Sequence, residues 1–161
     1  MAEERMSKLV EQELDHWQPA ARESDRPMDS IRYPEMNIAG NWTLSRGLDY
    51  SRLAITKTDD GHYQVSFASG GCLYNYRLKR IGDYSGGVLS LNRPVKEYFP
   101  LSYRTLYAVR IGGQDYLLPS AAVAEVDKGL AKDGRKFIDP FTGRFHLYRR
   151  EVAPATSNPG D

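Results

Sequence analysis

The sequence predicts a mainly β protein: an antiparallel up-and-down β-barrel with an N-terminal helix and a second helix before the last strand. Three observations predict it. From Ile38 onward apolar residues recur at every second position, the period of a strand, instead of every third or fourth. Turn residues interrupt that pattern at short intervals, so the strands are short and antiparallel. A run of about eight such strands must dispose of its edges, and closure into a barrel does so.

The elements follow in order. Between Glu3 and Trp17 the apolar residues are Met6, Leu9, Val10, Leu14 and Trp17, one stripe of an amphipathic helix. That stripe needs a cover, either the chain's own barrel or a second copy in a homodimer through this helix. The opposite, Glu-rich face argues against an anionic membrane surface. Residues 18–36 carry Pro19, Pro27 and Pro34 with no sustained period, as in a linker or a strapped-down loop. Residues 1–37 thus form a helix and linker, 38–150 the barrel domain, and 151–161 a disordered tail.

Within the barrel, strands are expected near 38–46, 50–58, 62–69, 72–81, 87–92, 94–99, 104–111 and 114–118. Asp60-Gly61 and Gly112-Gly113 mark the firmest turns, because they accept the positive φ of tight hairpins. Pro94 and Pro100 cannot donate to a ladder, which makes 94–99 an edge strand or a bulge. Ser120 caps a helix running to Lys132, and Arg144 to Glu151 returns as the final strand.

Composition limits the function. The 161 residues are 40% hydrophobic and 27% charged, with a net charge of +1. Residues 1–37 carry a net −4, 38–118 a net +4 and 119–161 a net +1. A surplus so dilute is not the basic patch of a nucleic-acid binder. No apolar run reaches the roughly 20 residues of a membrane span. The charged start, Met1 to Asp15, is no secretory leader, which places the chain in the cytoplasm as written and leaves export to a longer precursor. With Cys72 the only cysteine, no disulfide closes within the chain.

Parity along the strands nominates the interior. Tyr63, Val65 and Phe67 share one face, as do Cys72, Tyr74, Tyr76 and Leu78, and likewise Tyr107, Val109 and Ile111. Buried tyrosine hydroxyls want partners that apolar neighbours cannot supply, and a cavity holding water or ligand would supply them. The other outcome is that these rings span from core to rim with their hydroxyls in solvent.

Gly40-Asn41-Trp42 at the start of the first strand resembles the Gly-x-Trp signature of lipocalins and the wider calycin group. The order of eight strands, helix and last strand is also similar to a lipocalin. Ser102-Tyr103 followed by Tyr107 resembles the family's Thr-Asp-Tyr motif, without its Asp and with one extra residue. The family's Arg after the eighth strand, which stacks on the Trp, is missing from Asp115 to Ser120, and Arg149 on the last strand stands in for it over Trp42. The resemblance implies binding of a small, largely apolar ligand without chemistry.

Signatures of catalysis and of cofactors are absent from the sequence: there is no nucleophile elbow, phosphate loop or His/Cys cluster. His16, His62 and His146 share no motif, and the parity of His146 points it outward. The sequence therefore points to a non-enzymatic barrel with no catalytic residue, metal or cofactor. Trp42, Tyr63, Phe67, Tyr74, Tyr76, Tyr107 and Tyr116 are its candidate ligand contacts. The alternative is a solid barrel acting as an interaction module through its N-terminal helix or an edge near Pro94 to Pro100.

Overall fold

The structure, a computed structural model, describes residues 2–18, 31–46, 49–71, 75–96, 102–121 and 147–151. Helix α1 (Ala2–Leu14) precedes strands β1 (Gly40–Arg46), β2 (Asp49–Lys57), β3 (Tyr63–Gly70), β4 (Tyr76–Ser85), β5 (Val88–Lys96), β6 (Ser102–Ile111), β7 (Gln114–Pro119) and β8 (Tyr148–Arg150). Each strand pairs antiparallel with the next, and β8 pairs back onto β1 through Trp42↔Arg150 and Thr43↔Arg149, closing the barrel. The described residues thus form an up-and-down barrel. Ser120 and Ala121 begin a helical turn, and the rest of that expected helix lies outside the described residues.

Antiparallel succession sends alternate connections to opposite ends. The tight turns at residues 58–62, 86–87 and 112–113 gather at the end where β1 begins; β1, β3, β5 and β7 all run out at the other. We call these the floor and the loop end. Gly86 and Gly87 (φ +61° and +82°) and Gly112 and Gly113 (+58° and +79°) all sit in the left-handed region, where a Cβ is strained.

Two expected strand boundaries shift, each for a physical reason. The strand expected at 72–81 runs instead from Tyr76 to Ser85. Gly82 lies within it opposite Leu91, because a Cβ there would meet Leu89 Cδ1 at 2.8 Å. The expected segment 87–92 and the described part of 94–99 merge into β5, whose pairing with β6 breaks between Ser90 and Val95, the stretch that holds Pro94; residues 97–99 lie outside the described residues.

That irregularity reverses the expected faces of β6. Tyr103 and Leu106 both join the interior cluster of Trp42 and Phe67, so parity slips by one between them. Tyr107, Val109 and Ile111 consequently face outward with Tyr116 and Leu118, in a second cluster under Ile31 and Leu147. Residues 31–33 are strapped to β6 there: Arg110 N–H donates to Ile31 O (2.7 Å) and Tyr33 N–H to Ala108 O (2.9 Å).

The apolar stripe of α1 is covered by the chain's own barrel. Val10 and Leu14 are buried in the interior cluster, Met6 and Trp17 pack against it, and Leu9 is half exposed. The surface that suggested a helix-mediated homodimer is thereby largely occupied.

Candidate ligand site

The floor is built around Trp42. Its indole N–H donates to Ile38 O at 3.0 Å, and the Arg150 guanidinium lies over the ring, 4.3 Å from the centroid. Arg150 also donates to Asn37 O (2.6 Å) and Ala39 O (3.0 Å), and stands 3.6 Å from the Asp115 carboxylate. The expected stacking residue, Arg149, is exposed, because pairing with Thr43 sets it on the outer face; Arg150, opposite Trp42, takes the inner one.

Above the floor the interior is close-packed. Trp42, Phe67 and Tyr76 have 1% exposure or less, and Leu53, Val65, Leu89 and Leu91 are equally sealed. Tyr63 is buried at the floor side, with its ring edge-on to Tyr84 at 5.9 Å. Burial pushes the Tyr84 phenol up to about 12.

Several interior tyrosine hydroxyls find partners in the barrel wall itself. Tyr76 donates to Lys96 O, and the Tyr103 and Tyr148 hydroxyls bond each other at 2.7 Å. Of the expected ligand contacts, Trp42, Tyr63, Phe67 and Tyr76 lie on the interior face, Tyr107 and Tyr116 lie outside it, and Tyr74 falls outside the described residues. Cys72 and His146 also fall outside them.

The loop end carries what the tyrosine argument overlooked. Pairing sets Leu44, Ser51, Ser69 and Tyr76 in one row across β1 to β4. Ser51 and Ser69 are 1% and 2% exposed, and among the described residues the Ser69 Oγ has no hydrogen-bond partner. A buried hydroxyl without a partner is unusual, since most buried polar groups are bonded. The sequence signals Ser51 and Ser69 only by parity, as serines on the inward face shared with Leu53 and Phe67.

Between β4 and β5 the wall is incomplete. Only Gly82–Ser85 pairs with Val88–Leu91, so β4 residues 76–81 and β5 residues 92–96 are splayed. Arg80, its side chain 1% exposed, spans the gap: Nε donates to Pro94 O (3.0 Å), Nη2 to Pro94 O (2.6 Å) and Nη1 to Lys79 O (2.8 Å). Both terminal nitrogens also meet the Glu11 carboxylate of α1 at 2.8 Å. That bidentate contact is the main reason the Glu11 carboxyl sits below its ordinary value.

Two other surface features are weaker candidates. On the outer face of β1 to β4 a depression of about 300 Å³ is edged by Arg52, Arg77 and Lys79, of which Arg52 meets Glu151 and Arg77 meets Glu3, each at 3.4 Å. At the floor end His62 Nδ1 bonds the Asp83 carboxylate, which raises the imidazole above its usual value. Both side chains of that pair are largely exposed, and no cluster of three metal-ligating side chains occurs among the described residues.

Fold and geometry together define a class: a closed antiparallel barrel with Trp42 buried at its floor and the buried Ser51 and Ser69 toward its other end. No family model, curated protein or solved structure matches the chain.

Proposed function

We propose that this protein is a non-enzymatic barrel that binds one small, largely apolar molecule at its loop end, where Ser69 and Ser51 engage a single polar group of that molecule. The carrying observation is the buried Ser69 Oγ without a partner. Leaving such a group unsatisfied costs about 1–3 kcal/mol, a cost that a bound carbonyl or hydroxyl removes. The Gly40-Asn41-Trp42 start, the strand order and the cation on Trp42 support a lipocalin-like reading of the barrel. On this account Trp42, Tyr63 and Phe67 pack the floor and middle, and ligand contact is confined to the row of Ser51, Ser69 and Tyr76.

A second reading is a solid barrel acting as an interaction module, and the near-zero exposure of Trp42, Phe67, Leu89 and Leu91 favours it. Ser69→Ala tests the premise of the first reading. A hydroxyl kept for a ligand is a liability in the ligand-free protein, so its removal raises ligand-free stability by about 1 kcal/mol in urea unfolding. Lost stability in Ser69→Ala means that the hydroxyl serves the fold, and the ligand reading loses its support.

A further inference from the structure

We propose that α1 is a door over a lateral opening between β4 and β5, and that it controls access to the loop-end site from the side. The inference rests on the seam and, for its purpose, on the ligand reading above. Along the seam no ladder joins β4 residues 76–81 to β5 residues 92–96. The bonds that cross it directly involve side chains: Arg80 to the Pro94 carbonyl, Tyr76 to the Lys96 carbonyl, and Ile81 N–H to Asn92 Oδ1. The rest of the closure is α1, whose Val10 and Leu14 join the interior cluster.

The helix is held without any shared ladder. Its polar ties are Glu11 on Arg80 and, at 3.4 Å, on Arg93, Asp15 on Arg93 (2.7 Å), Glu13 on Lys96, Glu3 on Arg77, and Ser7 Oγ accepting the Arg77 N–H (3.0 Å). Except for Arg80, these charges are substantially solvated on at least one side, and such pairs hold weakly. The barrel ladders run on without α1, so the helix can leave at a lower free energy than the barrel unfolds. Arg80 and Glu11 form the latch: opening trades their bidentate bond for water on both partners. The opening lies beside the site, because Tyr76, which bridges the seam, is the cross-strand neighbour of Ser69.

The test uses the full-length chain with Cys72→Ser, carrying either Ser69→Cys at the site or Ala108→Cys as a reference deep in the interior. Each is combined with Glu11→Gln, and thiol labelling by a maleimide is timed. Loss of the charged latch is expected to speed labelling at position 69 about tenfold and to leave position 108 unchanged. An equal rise at both positions reports global loosening, and no rise at 69 means that α1 does not gate the seam; either overturns the door. Should the cysteine variants fail to fold, hydrogen exchange of Glu11→Gln alone decides. Faster exchange confined to α1 and residues 76–81 and 92–96 supports the door, and exchange that is unchanged or uniformly faster overturns it. Neither readout requires a ligand, so the door and the ligand reading can fail separately.

Discussion

Replacing Arg150 with Met tests the floor, because Met keeps the apolar stem and removes the cation. The change deletes a guanidinium 4.3 Å from the Trp42 centroid and donors to Asn37 O and Ala39 O at 2.6 and 3.0 Å. A cation over Trp contributes about 1–2 kcal/mol when desolvated, and a charged hydrogen bond roughly 1.5–3 kcal/mol. Arg150 retains 33% side-chain exposure, so water replaces part of what the carbonyls lose. The expected net cost is about 3 kcal/mol, which for a chain of this size lowers the melting temperature by on the order of 6–12 °C. Urea unfolding followed by far-UV circular dichroism measures it. A double-mutant cycle with Trp42→Leu isolates the ring contact, with an expected coupling of about 1 kcal/mol. If Arg150→Met costs less than about 0.5 kcal/mol, the range of an ordinary surface substitution, the floor is not held as described.

Three further outcomes are expected. In an NMR titration His62 should titrate above its usual value, and Asp83→Asn should bring it back down. Because the folded-state value is raised, any stability from this pair is present below the ordinary histidine range and is lost as pH rises through the raised value. Gly82→Ala should cost about 1–3 kcal/mol by overpacking Leu89, measured by chemical unfolding, whereas Gly70→Ala should cost less because the Tyr50 ring it meets is exposed and can swing aside. Tyr103→Phe and Tyr148→Phe should be non-additive by on the order of 1 kcal/mol in a thermal double-mutant cycle, since their hydroxyls bond each other.

What could be read from the sequence was local. Gly112-Gly113 and Asp60-Gly61 announced their turns because few residues accept those backbone angles, and the alternation of β3 announced its buried face. The faces of β6 depart from its own alternation because a bulge is a disagreement between two strands: nothing within Ser102–Ile111 states that β5 slips beside it. The same one-residue sensitivity moved the Trp42 cation from Arg149 to Arg150. The stripe of α1 showed that the helix needed a cover, but that cover lies in unpaired stretches of β4 and β5, visible only once the barrel closes. At the site, the tyrosines argued for a wet interior, yet Tyr76, Tyr103 and Tyr148 find partners in the wall. The orphan belongs to a serine, which the sequence marks only by its inward parity with Phe67.

The proposed ligand is tested most directly by native mass spectrometry of the full-length protein purified without denaturation, comparing its mass before and after unfolding. The account predicts an added small-molecule mass that unfolding releases and that Ser69→Ala diminishes. A spectrum showing the bare chain alone, from more than one expression host, contradicts it and leaves the solid barrel as the better description.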